Sequence, residues 1–183
     1  MHPLDYVFIG VWAAFWVYWL AAAATAKRTA RRHSGRALGA RLVVIVVAVA
    51  VAHSGAIGPS GPVTSPSLEA AGTALFFSGL ALAVWARLCL GRNWGMPMTE
   101  KAEPELVTGG PYRRIRHPIY SGIILAMVGT TMATDWYWGF VAVLMGAYFT
   151  YSAVVEDHNM ARLFPATYPE YRRRTKMLVP FVL

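Results

Sequence analysis

Long apolar runs alternate with short polar ones along this chain, and the runs have the length of membrane spans. The first covers residues 6–25, with Trp12, Trp16, Tyr18 and Trp19 read as interfacial belt residues and an alanine run that permits close helix packing. The second, residues 42–57, is short and rich in Val and Ala, with His53 near its far end. The third, residues 70–90, carries Arg87 in its last turns, where a long basic side chain can snorkel to the headgroups. The fourth, residues 118–134, opens on a proline, which costs little because first-turn amides have no intrahelical acceptor. Asp135-Trp136 reads as a tight reversal into the fifth, residues 136–155, which starts on a belt of Trp136, Tyr137 and Trp138. A final apolar stretch, residues 177–183, is too short to cross a bilayer. The pattern predicts an all-α, polytopic integral membrane protein with about five transmembrane helices.

Composition agrees: 56% of residues are hydrophobic and 14% charged, too apolar for a soluble domain. The net charge of +8 would raise nucleic acid as a partner, but its distribution argues otherwise. Residues 27–41, 87–116 and 162–176 hold six, six and five basic residues, which is all 17. With five spans they fall on one side, which the positive-inside rule assigns to the cytoplasm. The N-terminus is then outside and the C-terminus cytoplasmic, as in a bacterial inner membrane. The excess charge serves topology and contact with anionic lipid, and no nucleic acid is expected. The single cysteine, Cys89, excludes an intramolecular disulfide. A start without Lys or Arg suits a retained first span, and the last residues carry no prenylation box. Residues 1–183 read as one membrane domain, with N-terminal helices in 1–84 and a catalytic half in 85–183.

Chemistry concentrates in residues 109–122, GGPYRRIRHPIYSG, at the start of the fourth span. The short turn makes the last two spans an antiparallel hairpin, so Pro118 and Glu156 reach one membrane level. His117, Tyr120, Glu156 and Asp157 then form a local cluster, and ionisable groups at a membrane boundary are functional candidates. Blander roles compete for the same residues. Arg113 and Arg114 serve equally well as positive-inside anchors, and His117 as a helix-start hydrogen bonder. The consecutive Glu156, Asp157 and His158 match no helical metal-ligand spacing, so no metal is expected. Residues 91–95 lack the strand and the Lys-Ser/Thr ending of a phosphate loop.

The pattern GPYRRIRHPIYSG, followed by Glu156-Asp157, Met160, Phe164, Tyr168, Tyr171 and Pro180, resembles the isoprenylcysteine carboxyl methyltransferase family, related to the phospholipid methyltransferases. Trp85-Ala86-Arg87 and Leu90-Gly91-Arg92-Asn93-Trp94 resemble the family's lead-in, so the likeness runs from about Trp85 to Pro180. It implies a membrane-embedded enzyme with a cytosolic C-terminal pocket for S-adenosyl-L-methionine. Its methyl acceptor would be hydrophobic or small: an isoprenoid-like thiol or carboxylate, a small thiol or amine, or a phospholipid amine. By motif position it implies cofactor contacts at Pro104, Glu105, Leu106, Val107, Tyr112, His117, Pro118, Ile119, Tyr120 and Glu156. His117 and Glu156 are then the catalytic candidates, although a carboxylate or thiolate acceptor needs no base. Tyr112 and Tyr120 would offer aromatic faces to adenine or the sulfonium, and His117 a donor to the cofactor carboxylate.

Two departures bear on the acceptor. Relatives that methylate a prenylcysteine carboxylate have arginine four residues before the acidic pair, where this chain has Ser152, a substrate-facing position that cannot make a bidentate charged contact. The acidic pair is Glu-Asp rather than Glu-Glu, and Pro165 stands where glycine is usual. Two other readings stay open at this point. One is a nicotinamide-dependent membrane reductase of related frame, with Arg172–Arg174 as its phosphate pocket; the other is a non-enzymatic lipid-binding membrane protein.

Overall fold

The computed structural model describes residues 3–23, 29–32, 39, 43, 61–94, 99–101 and 105–178. Its elements are α1 (Pro3–Ala23), β1 (Thr29–Arg32), α2 (Pro66–Leu90), β2 (Thr99–Lys101), α3 (Pro118–Ala133), α4 (Tyr137–Leu163) and α5 (Tyr168–Arg174). Helices 4–22, 66–93 and 137–163 are long and apolar enough to cross a membrane, and Pro118–Ala133 is a shorter apolar helix. The expected span 42–57 lies outside the described residues except for Val43.

The tightest packing joins α2 to α3, and glycine makes it possible. A Cβ on Gly72 would lie 2.7 Å from the backbone of Gly129 and Ala133, and one on Gly79 would lie 2.5 Å from Gly122 and Ala126. Each helix therefore has two glycines seven residues apart, about two turns, facing the antiparallel partner. Lipid tails are as apolar as leucine, so helices in a bilayer gain most from such close backbone approach. Ala83, Ala86 and Ala126, all fully buried, extend the seam.

Asp135 makes the turn between α3 and α4 as expected. Its Oδ1 accepts the Tyr137 amide at 2.7 Å, and its carbonyl accepts the Trp138 amide at 3.1 Å. Val63 donates to the Thr134 carbonyl at 2.9 Å, which ties the chain before α2 to the same end.

Helix α1 runs parallel to α2: Phe8 packs on Phe76 at 4.3 Å, and Arg87 of α2 reaches the Ala22 carbonyl at 2.7 Å. Two expectations are corrected here. Trp19, 7% exposed, packs edge-on against Trp94 at 5.7 Å in the core, whereas Trp16 stays exposed. Arg87 does not snorkel. It is 4% exposed, caps its own helix through Gly91 O at 2.6 Å and lies over the Trp94 ring at 4.8 Å. Carbonyls freed at two helix ends satisfy its donors better than a distant headgroup does.

The fold also contains a short two-stranded antiparallel ribbon, β1 with β2, that the all-helical reading did not anticipate. It joins the basic segment after α1 to the segment after α2. The described basic residues thus gather at one end of the helices.

Candidate active site

The site stands where α3 begins and α4 approaches its end. Glu156 and Asp157 are neighbours on α4, and His117 directly precedes α3. His117 Nε2 lies 2.9 Å from Asp157 Oδ1, and its Nδ1 lies 3.4 Å from Glu156 Oε2. The Tyr120 hydroxyl donates to Glu156 Oε1 at 2.5 Å. Two segments some 40 residues apart, roughly, are thereby drawn to one point by the hairpin.

Asp157 is the hub beneath. Arg116 grips both its oxygens, Nε at 3.2 and 3.1 Å and Nη2 at 3.0 Å, and Tyr168 donates to it at 2.5 Å. Arg116 also donates through Nη1 to the carbonyls of Thr175 at 2.6 Å and Arg172 at 3.3 Å. The last described residues lie against the motif. Arg116 and His117 donate their amides to Lys176 O and Met177 O at 2.8 and 3.1 Å, and Ser121 Oγ donates to Leu178 O at 2.5 Å. Tyr171 completes the seal through a 2.8 Å bond to Tyr112 O.

Electrostatics follow from this packing. Burial alone would make the His117 imidazolium more acidic, but the two facing carboxylates outweigh it and raise its pKa above the ordinary 6.5. Burial, with the Asp157 carboxylate beside it, also pushes the Tyr168 phenol up. The Tyr171 phenol rises to about 12, chiefly by burial. Both stay protonated as donors at neutral pH.

The residues singled out from the sequence divide sharply. His117, Tyr120 and Glu156 meet, and Glu156 is the most open of the three, with 24% of its side chain exposed. Tyr120 is 8% exposed and stacks against both His117, at 5.6 Å, and Phe149, at 4.9 Å; Tyr112 is 6% exposed. Protein therefore covers the aromatic faces expected to receive a ligand. Pro118 and Ile119 are buried, Pro118 starting α3. Glu105 lies on an exposed loop and accepts from Asn93 Nδ2 at 2.9 Å, with Leu106 and Val107 half-buried beside it. Pro104 lies outside the described residues. Ser152 is fully buried and donates to Tyr148 O of its own helix at 2.9 Å.

Sequence reasoning passed over Arg116, Tyr168, Thr175 and Asn93 as site residues. Arg116 sat among arginines that charge bias alone explains, and only its proximity to the His-Pro pair set it apart. Asn93 has a further property: its Oδ1 is buried and has no hydrogen-bond partner. An orphaned acceptor beside the Glu105 loop suits an amino-bearing heterocycle, and the open Glu156 carboxylate suits an ammonium or ribose hydroxyls. The residues present thus fit a nucleoside-bearing amino acid.

Comparison with known proteins agrees. Residues 68–167 match the family model for phospholipid methyltransferase. The nickel-cobalt-cadmium resistance protein NccN of Alcaligenes xylosoxydans is 33% identical over 94 residues, 50% of this chain and 44% of that protein. Protein-S-isoprenylcysteine O-methyltransferase B of Arabidopsis thaliana is 30% identical over 115 residues, 61% of this chain and 58% of its own length. Methanethiol S-methyltransferase 2 of Bradyrhizobium diazoefficiens is 38% identical over 69 residues, 38% of this chain and 26% of that enzyme. The chain therefore spans about half the length, or less, of these relatives. A solved structure of the eukaryotic intramembrane Ras methyltransferase, isoprenylcysteine carboxyl methyltransferase, shares the fold. Its TM-score is 0.51 at 22% identity, over 84% of this chain and 55% of that one.

Proposed function

Because the chain belongs to the phospholipid methyltransferase family of integral membrane proteins, we propose that it transfers a methyl group from S-adenosylmethionine to a hydrophobic or small acceptor at the cytoplasmic leaflet. The observation that carries this reading is the meeting of His117, Tyr120 and Glu156 from two separated segments around one open carboxylate. Residues 85–183 hold the donor site in this reading, and 1–84 frame it in the membrane. The clustered basic residues place the site on the cytoplasmic side, with the N-terminus outside.

When bound, the cofactor supplies an electrophilic methyl on a sulfonium. The chain's own residues position and exclude water. Glu156 would accept from the ammonium or the ribose hydroxyls, held in place by the Tyr120 hydroxyl and the His117 ring. The Glu105–Val107 loop and the unpaired Asn93 oxygen would meet the adenine. Both nitrogens of His117 face carboxylates, so it has no free lone pair for proton abstraction. An amine or neutral thiol acceptor would lose its proton to Glu156, while a carboxylate or thiolate needs no base. Relatives are named for an isoprenylcysteine carboxylate and for methanethiol. With Ser152 in place of the charged position, a thiol or a small acceptor fits this chain better than a prenylcysteine carboxylate.

Calorimetric titration of the purified chain tests the assignment. S-adenosylhomocysteine should bind and NADP should not, and Glu156→Gln should weaken binding by at least about tenfold, the loss of one charge-assisted contact. Binding of NADP alone would favour the reductase, and binding of neither would favour a non-enzymatic protein. A screen of lipid extracts and small thiols with radiolabelled S-adenosylmethionine would then identify the acceptor.

A further inference from the structure

A second cavity lies away from the site, between α1, α3 and the first half of α4. It has a volume of about 530 Å³, within the range of about 300–1,000 Å³ typical of ligand pockets. Its wall is mostly apolar, with Ile123, Met127 and Met145 toward the site. Tyr120 and Phe149, one turn further on, do not line it; their stacked rings stand between it and Glu156. At the opposite end are Asp5, in the first turn of α1, and Asp135, in the α3–α4 turn. Among the described residues these two are the only charged side chains on the wall.

The geometry points to a resident lipid site: one acyl chain of an ammonium-headed membrane lipid fills this cavity, with the ammonium at Asp5 and Asp135. An apolar cavity of this size inside a bilayer does not hold water, because water there would find few polar partners. Hydrocarbon is the solvent at hand. The head is selected by charge. Two carboxylates at the mouth, with no basic residue on the wall, attract an ammonium and repel a purely anionic head. The occupant is distinct from the methyl acceptor. Asp135 lies about 15 residues beyond Tyr120, about 22 Å along the helices at 1.5 Å per residue, so a head held there cannot present its nitrogen at Glu156. The proposal is thus independent of the methyl-transfer reading.

Native mass spectrometry of the full chain in mild detergent tests it, with phosphatidylethanolamine and phosphatidylglycerol of identical acyl chains supplied equally. The wild type should retain phosphatidylethanolamine about tenfold over phosphatidylglycerol, the weight of one charge-assisted contact. Asp5→Asn with Asp135→Asn should bring that ratio near one, since asparagine keeps an acceptor for the Tyr137 amide. Met127→Trp should displace both lipids by filling the cavity, with S-adenosylhomocysteine affinity unchanged in both variants. Equal retention by the wild type, or a preference for phosphatidylglycerol, overturns the proposal whether or not the variants fold. So does undiminished retention by a folded Met127→Trp.

Discussion

Arg116 and Asp157 show how much one buried pair can determine. Breaking such a pair on one side leaves an uncompensated charge and costs roughly 3–5 kcal/mol. Asp157→Ala should therefore lower the thermal midpoint far more than Arg113→Ala, whose exposed side chain should give no measurable change in the same melt. His117 carries its own pH signature. Its folded pKa lies above 6.5, so its contribution to stability is complete below about 6.5 and is lost as pH rises through the raised value. Thermal melts across that window should show a decline that His117→Gln flattens; a parallel decline in the variant would refute it. The cluster of His117, Tyr120 and Glu156 was legible because a motif and a short turn fix their levels. The separation of Arg116 from Arg113 and Arg114 was not, since charge bias treats the three alike and only burial divides them.

At the scale of helices, the α2–α3 seam governs where α3 presents His117. Gly79→Val would push its side chain into the backbone of Gly122 and Ala126. Backbone cannot move aside as a flexible side chain can, so the cost should exceed the 1–3 kcal/mol or so of ordinary overpacking. The expected result is loss of monodisperse protein in detergent, with Gly10→Val, which meets open space, as the control. Four of the helices were readable from hydropathy, and α5 was marked only by its place in the motif. The seam itself was hidden, because glycines spaced by seven have no effect on mean hydropathy. The β1–β2 ribbon was hidden for another reason: pairing between distant short segments leaves no local period to detect.

For the molecule as a whole, the parallel run of α1 and α2 places Ala22 and Pro62 at opposite ends, since Ala22 meets Arg87 and Pro62 bridges to Asp135. The chain must therefore return across the bilayer between them. Reporter fusions should place residue 3 outside and residue 178 inside, and both reporters on one side would contradict the topology proposed. Membership of a methyltransferase family and the helical frame both follow from sequence and comparison. The acceptor does not, because relatives named for different acceptors share the residues that meet at Glu156.

The backbone of residues 176–178 lies along Arg116 and His117 and holds them in register. During synthesis these residues leave the ribosome after every span has been handed to the bilayer. A nascent chain halted at residue 170 would be inserted yet have an unfinished mouth, and should fail to photocrosslink an azido analogue of S-adenosylhomocysteine that a chain released past residue 178 captures. Competence would then be the last property the protein acquires, withheld until its own final segment comes home.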